Sequence, residues 1–541
     1  MSAIAHPLPF APYSPRCIYR RLPAICLAIG LSGSNLSAAT DTPLWFGNER
    51  PKAAAQQAVE LLSKAAADGL EAGDYSVDRL RGALERSGNG QPLAAGSLTA
   101  LDQALTVAVR RYLTDLHFGR VDPRRLGVDY SSAGVTDFTP DALLNSAIVD
   151  NRFTEAARGA APTWPQYVAV REALARYREL TGNPAWLTAL PPLPAGKLSP
   201  GQKYPGIPAL TQRLILLADL PATATPPPRY EGQLVEGLKS FQERHGMTPD
   251  GIIGKETLEQ LNVSPATRAR QLELALERLR WTPLQQARRG IVVNIPEFAL
   301  RGYDVRDGRI ETRVAMRVIV GAARKTRTPL FDSELRLIEF SPYWNVPPSI
   351  AKGETLPRLR RDPGYFNRQG FEFVGSDGRV IEGFSEADLD AVQRGQLRIR
   401  QRPGASNALG DIKFVFPNKE NIYLHHTPTL PLFKRDRRDF SHGCIRVEAP
   451  AALAKFVLAD EPEWTEERIA QAMRKGKSAT IRLKEPVPVV LGYSTATVRE
   501  GRVYFFPDIY GHDKILDNAL RQRSTAVQAS KESKIAAESI P

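Results

Sequence analysis

The sequence predicts a multidomain α+β protein: a helical scaffold domain, then a small three-helix module, then a mainly β domain of catalytic size. Three observations predict it. A chain of 541 residues is too long for one core, since domains run to roughly 150 residues. Apolar residues recur at helical spacing up to residue 281 and fall into short strand-like runs from 290. Proline-rich stretches separate these regimes. The composition, 42% hydrophobic and 24% charged, excludes wholesale disorder. The net charge of +13 and pI near 9.6 favour a polyanionic partner without choosing among nucleic acid, anionic lipid and acidic wall polymer.

Residues 1–39 read as an export signal. Arg16, Arg20 and Arg21 supply the basic flank, Leu22 to Leu31 a short apolar core, and Ser37 and Ala39 the small residues of a cleavage site. The core is too short for a permanent anchor. Cleavage removes Cys17 and Cys26 with three arginines and no acid, leaving a charge near +10 and Cys444 as the sole cysteine. A secreted chain with one cysteine cannot staple itself, and a lone thiol near histidines is a candidate nucleophile.

Residues 41–200 are expected to be the helical scaffold; Leu101, Leu105, Ala108, Tyr112 and Leu116 share one face of such a helix. Prolines from Pro191 to Pro194 and Pro226 to Pro228 read as connectors. Within 208–265, Leu234, Leu238 and Phe241 begin a second helical unit. Its segment LKSFQERHGMTPDGIIGKETLEQL resembles the common peptidoglycan-binding module. Residues 266–288 are expected to be a linker helix, with Leu272, Leu276 and Leu279 on one face and Arg and Glu on the other. The β domain spans 289–520, from strand-like GIVVNI (290–295) to ATIRLK (479–484). A charged insert at 351–400 interrupts it; it is expected to order partly as a lid over the Cys444 groove. Residues 523–541 lack apolar periodicity and are expected to be a disordered tail.

The chemistry concentrates near residue 440. Three of seven histidines, His425, His426 and His442, fall within twenty residues of Cys444. A cysteine acyl transfer needs a thiolate with a base or imidazolium close by, and backbone donors for the oxyanion. Gly443 before the thiol lets main chain approach a carbonyl without a Cβ clash. Spacing does not choose which histidine acts. Inert packing of the cysteine and a zinc site from His425, His426, His442 and Cys444 are the rival readings, although the paired cysteines of structural zinc are absent.

The stretch IYLHHTP…FSHGCIRVE resembles the active-site signature of the L,D-transpeptidases, cysteine enzymes that cross-link bacterial peptidoglycan. FGRVDP (118–123), ERLRW (277–281), TPLF (328–331), SPYWNVPPSI (341–350), RQRPG (400–404) and DIYG (508–511) resemble the large periplasmic subgroup with a helical scaffold. The departure is His426, where relatives often carry Gly, Ser or Asp. The resemblance implies Cys444 as nucleophile and His425 as proton donor and acceptor. It implies that Ser441, His442 and Gly443 shape the oxyanion loop, and that Arg446 braces that loop or meets a substrate carboxylate. Tyr423 and Trp344 become candidate walls of the groove.

The implied fold of the catalytic domain is a β-rich sandwich. The implied reaction joins stem peptides by 3→3 cross-links through a cysteine thioester, with no metal or organic cofactor. Donor tetrapeptide and acceptor amine would be its partners, with cell-wall synthesis proteins, carbapenem-type inhibitors and no nucleic acid. The expected place is the periplasm, at the inner membrane if the signal stays uncleaved. Two alternatives remain open: a cysteine L,D-carboxypeptidase or endopeptidase that hydrolyses the same stems, and a non-catalytic wall-binding scaffold.

Overall fold

The computed structural model describes residues 43–538, apart from 49, 90–94, 132–137, 284–287 and 307–308. The expected export signal at 1–39 lies outside the described residues. No helix among those described is long and apolar enough to cross a membrane.

The scaffold is helical because its apolar residues keep helical spacing. Helices Ala53–Ser63, Val77–Gly88, Ala95–Phe118, Pro140–Asp150 and Phe153–Ala160 bury Leu62, Leu84, Leu105, Tyr112, Leu116 and Leu144 in one core. Asp115 lies on the third of these helices. It is buried, accepting from the Tyr75 hydroxyl at 2.9 Å and from Arg523 at 2.7 Å.

Two helices set the frame: α1 (Pro165–Glu179) and α2 (Pro265–Trp281). The second was expected to be a linker with one solvated face. It is instead a central mast, with Leu272, Leu276, Glu277, Arg278 and Arg280 all buried. Its apolar side packs on Val170 and Leu174 of α1. The Glu277 carboxylate accepts from the Arg120 and Val121 amides at 2.5 and 3.0 Å. Arg280 donates to the Tyr167 hydroxyl at 2.8 Å, and Arg278 meets Asp513 at 2.5 Å. Charge at buried positions is tolerated where it is paired, as here. Gly119 (φ +82°) explains FGR: a Cβ there would lie 2.5 Å from the Trp281 indole nitrogen.

The small module is three helices, Ile207–Leu216, Gln233–Arg244 and Lys255–Asn262, around Leu210, Leu214, Leu238 and Phe241. Its signature residues are spent internally. Gln242 donates to Asp250 and Ile252 and accepts from the Gly251 amide, all within 3.0 Å. His245 is buried, its Nδ1 2.7 Å from the Phe241 carbonyl.

The catalytic-sized domain is a sheet closed on itself. Its strands are β1 (Arg289–Asn294), β2 (Ala299–Arg306), β3 (Arg309–Gly321) and β4 (Leu330–Phe340). After the insert come β5 (Ile412–Val415), β6 (Leu424–His425), β7 (Ile445–Val447) and β8 (Ala479–Gly492). The order β5-β6-β7-β3-β2-β1-β8-β4 is completed by pairing of β4 with β5. The sandwich expected for this domain is thus joined at both sides, which removes open edges. Ile291, Val293, Leu335, Ile338, Phe414 and Leu424 fill it.

Residues 344–401 are more than a partly ordered lid. They hold an antiparallel sheet in the order 380–381, 371–375, 397–401, 344–345, with helices Leu356–Arg361, Gly364–Arg368 and Glu386–Arg394. Leu356, Leu359, Phe366, Phe373, Leu389 and Ile399 give them a core of their own.

The expected disordered tail is helical over its described part, and 539–541 lie outside the described residues. Helix α3 (His512–Glu538) continues through 523, because Leu516 and Leu520 pack on Leu274 and Trp281. Arg523 then pairs with buried Asp115.

Candidate active site

Cys444 sits where a tight loop enters β7. The parallel pairing of β6 with β7 sets Leu424 opposite Ile445 and His425 opposite Arg446. The Ile445 amide donates to the Tyr423 carbonyl at 3.1 Å. Register therefore brings the two halves of the signature together although nineteen residues, 426–444, separate the two strands.

The loop is held from inside. The Ser441 hydroxyl donates to the Cys444 carbonyl at 2.5 Å and accepts from the Gly443 amide at 3.2 Å. Thr326 donates to the Ser441 carbonyl at 2.8 Å, and Thr328 to the Gly443 carbonyl at 2.7 Å. Tyr510 donates to the Gly321 carbonyl at 2.5 Å and accepts from the Thr328 amide at 3.2 Å. Gly443 takes φ +114°, a conformation that L side chains rarely adopt. TPLF and DIYG thus have a physical reason: they brace the main chain that presents the thiol. Sequence reasoning noted both stretches but assigned neither Thr328 nor Tyr510 a role.

His425 is buried. Its Nδ1 lies 2.5 Å from the His426 carbonyl, an oxygen that can only accept, so Nδ1 bears the proton and Nε2 keeps its lone pair. Burial, with the Arg446 charge next, lowers its pKa to about 3. Burial pushes the Cys444 thiol up, against smaller opposite effects of Tyr423, Lys413 and Arg446. The resting pair is therefore thiol and neutral imidazole. Cys444 Sγ lies 3.6 Å from the Asn421 carbonyl.

Three further side chains neighbour both. The Tyr423 ring is 5.7 Å from that of His425, and burial and Cys444 raise the pKa of its phenol. Lys413, opposite His425 in β5, lies 4.5 Å over the Tyr423 ring and 3.2 Å from Glu339. Arg446 is partly buried, and its Nε finds no hydrogen-bond partner among the described residues. Lys413 was missed in the sequence because a lysine in a strand ordinarily reads as a solvated face.

The remaining candidates separate. His442 is exposed and its Nε2 turns to Glu354 Oε1 at 2.6 Å, away from the loop interior. His426 turns to Asp411 at 3.3 Å and packs on Gly410. The four candidate zinc ligands thus point to different partners, and no group of three or more ligating side chains gathers among the described residues. Trp344, in the insert's sheet, meets the Tyr423 hydroxyl.

Residues 288–489 match a family model described as the L,D-transpeptidase catalytic domain. Residues 37–174 match a "Scaffold domain", and 204–261 a "Putative peptidoglycan binding domain". A Haemophilus influenzae protein named "Putative L,D-transpeptidase" is 36% identical over 250 residues, 46% of this chain and 49% of that one. The chain thus spans about half the length of this curated relative. A solved L,D-transpeptidase from Stackebrandtia nassauensis aligns with 54% of this chain and 94% of its own, at 14% identity and TM-score 0.24. One from Xylanimonas cellulosilytica covers 56% and 100%, at 16% identity and TM-score 0.18. Neither superposition supports a residue-by-residue comparison.

Proposed function

We propose that this chain, which carries an L,D-transpeptidase catalytic domain beside scaffold and peptidoglycan-binding domains, joins peptidoglycan stem peptides outside the cytoplasm through a Cys444 thioester. The observation that carries the reading is the contact of His425 Nδ1 with the His426 carbonyl. With Nδ1 tied to the His426 carbonyl, Nε2 is free to take a proton. A buried neutral imidazole suits a general base that acts only as bonds change.

In the first half-reaction Cys444 Sγ attacks the carbonyl carbon of the third stem residue while its proton passes to His425 Nε2. The Cys444 amide would donate to the developing oxyanion. Collapse breaks the C–N bond, and the leaving terminal amino acid takes the proton from His425. In the second half-reaction an acceptor amine attacks the thioester carbon and gives its proton to His425. The C–S bond breaks and the proton returns to sulfur. The product is a 3→3 cross-link. The peptide bond's energy stays in the thioester, so no nucleotide is consumed.

Arg446 suits a stem carboxylate, because its partly buried guanidinium keeps an Nε without a partner among the described residues. The 1–39 segment would deliver the chain to the periplasm. A carbapenem would acylate Cys444 in place of the donor. The test is mass spectrometry of disaccharide tetrapeptides incubated with the purified protein. New 3→3 dimers are expected. Trimmed monomers alone would make the chain a hydrolase, and unchanged substrate would leave it a wall-binding scaffold.

A further inference from the structure

The insert leaves and rejoins the β domain through a short stem. Buried Asn407 locks that stem: its amide donates to the Pro342 and Arg402 carbonyls at 3.0 and 2.9 Å, and its oxygen accepts from the Leu409 amide at 2.8 Å. The insert thus has a core of its own and one stem. Two of its side chains meet the site. Trp344 reaches Tyr423, the neighbour of the thiol. Glu354 reaches His442, two residues before Cys444, with Oε1 2.6 Å from Nε2. Glu354 stands in a π-helical turn, Ala351–Thr355, a rare geometry that recurs at functional sites.

The Glu354–His442 contact joins unequal partners. The loop bearing His442 is already fixed by Ser441, Thr326, Thr328 and Tyr510. Among the described residues, the insert's side chains that reach the site outside its stem are Trp344 and Glu354. Breaking the contact therefore frees the insert and leaves the thiol where it is. We infer that Glu354 is a positioning residue that latches the insert onto the nucleophile loop, and that the latch favours transfer of the acyl group to an amine over its loss to water. The inference rests on the transpeptidase reading. Water entering the open groove would attack the same thioester carbon, give its proton to His425 and release a free carboxylate, with the C–S bond broken as in transfer. Closure of a groove excludes that competitor.

The test uses the full-length protein with donor tetrapeptide and excess acceptor, scoring dimers against hydrolysed tripeptide, with Cys444 acylation by a carbapenem followed separately. Both side chains of the contact are substantially exposed, 42% and 60%, so E354A should lower the transfer-to-hydrolysis ratio by about two- to fivefold. The acceptor KM should rise, and the acylation rate should hold. E354Q, whose amide oxygen still accepts from Nε2, should restore the ratio. H442A combined with E354A should lower the ratio no further than H442A alone. An unchanged ratio in E354A, failure of E354Q to restore it, acylation slowed as much as transfer, or additive effects in the double variant would each overturn the latch. If the wild type acylates and makes no dimers, the transpeptidase reading fails, and the latch with it.

Discussion

At Cys444 and His425 burial works against both charged forms, raising the pKa of the thiol and lowering that of the imidazole to about 3; on the proposed reading the proton moves only as bonds change. The C444A variant should therefore lose all turnover and keep the fold, read by muropeptide analysis and circular dichroism. H425A should lose about 10²–10⁴-fold in rate, the usual share of a general acid-base. His426 acts on His425 through its main-chain carbonyl, which alanine retains, so H426A should be far milder. The pH dependence follows from burial. With the His425 pKa lowered from 6.5 to about 3, kcat/KM for acylation should show no acid limb near 6.5 and should fall only well below it. A limb at 6–7 in the free enzyme would mean a solvated His425. The stability sign agrees: between those two values the unfolded chain binds the proton and the folded chain does not, so this group's contribution shrinks as pH falls through that window. The proposed nucleophile and base could be named from the sequence because SHGC and the paired histidines are local patterns. Glu354 was not, since it lies 88 residues from its partner in a stretch rich in charge.

Elements were legible where one periodicity ruled, and misread where burial overrode it. Most strands of the β domain followed their apolar runs, although of the strand-like run at 421–424 only Leu424 enters a strand. Helix α2 was misread as a linker because its arginines and Glu277 resemble a solvated face, and only the scaffold and α3 supply the partners that bury them. The end of α3 was misread for the opposite reason: residues from 523 show no apolar stripe, and Arg523 is ordered by a carboxylate some four hundred positions away. The insert's fold was hidden by its charge, which lies outside a small aromatic core. Its stem carries an element-scale prediction. Asn407 satisfies three main-chain groups with one buried amide, and N407A leaves them without partners. The cost should be about 1–3 kcal/mol. Limited proteolysis should then cleave within 402–411 before any site in β5 or β7, and equal resistance of wild type and variant would deny the stem its role.

Across the whole molecule the module is built into the body rather than hung on it. Arg244 at the end of its second helix forms a buried pair with Asp219 and donates to the Val503 carbonyl at 2.6 Å. Arg502 reaches the same Asp219 at 3.2 Å from the hairpin of strands Ala496–Arg499 and Arg502–Phe505. Phe505 of that hairpin meets His245 of the module and Tyr177 of α1, while Val498 and Val503 pack with α1 and α2. Thr248 donates to Asp436, in the segment that leads to the SHGC loop, at 2.6 Å. Excising 204–261 would strip one side of the hairpin and leave Arg502 without its carboxylate. Breaking a buried ion pair by losing one member costs about 3–5 kcal/mol, so D219A alone should lower stability by several tenths of a typical domain's total. Scanning calorimetry of the full chain should show one transition for module and β domain together. D219A should shift that single transition downward rather than release a separate early melt. An early melt that leaves Cys444 acylation intact would make the module an independent appendage, and its wall affinity could then be tested by simple deletion. If the single transition holds, that affinity has to be measured with substitutions on the module's exposed face, because deletion would also unseat the hairpin on which α1 and α2 rest.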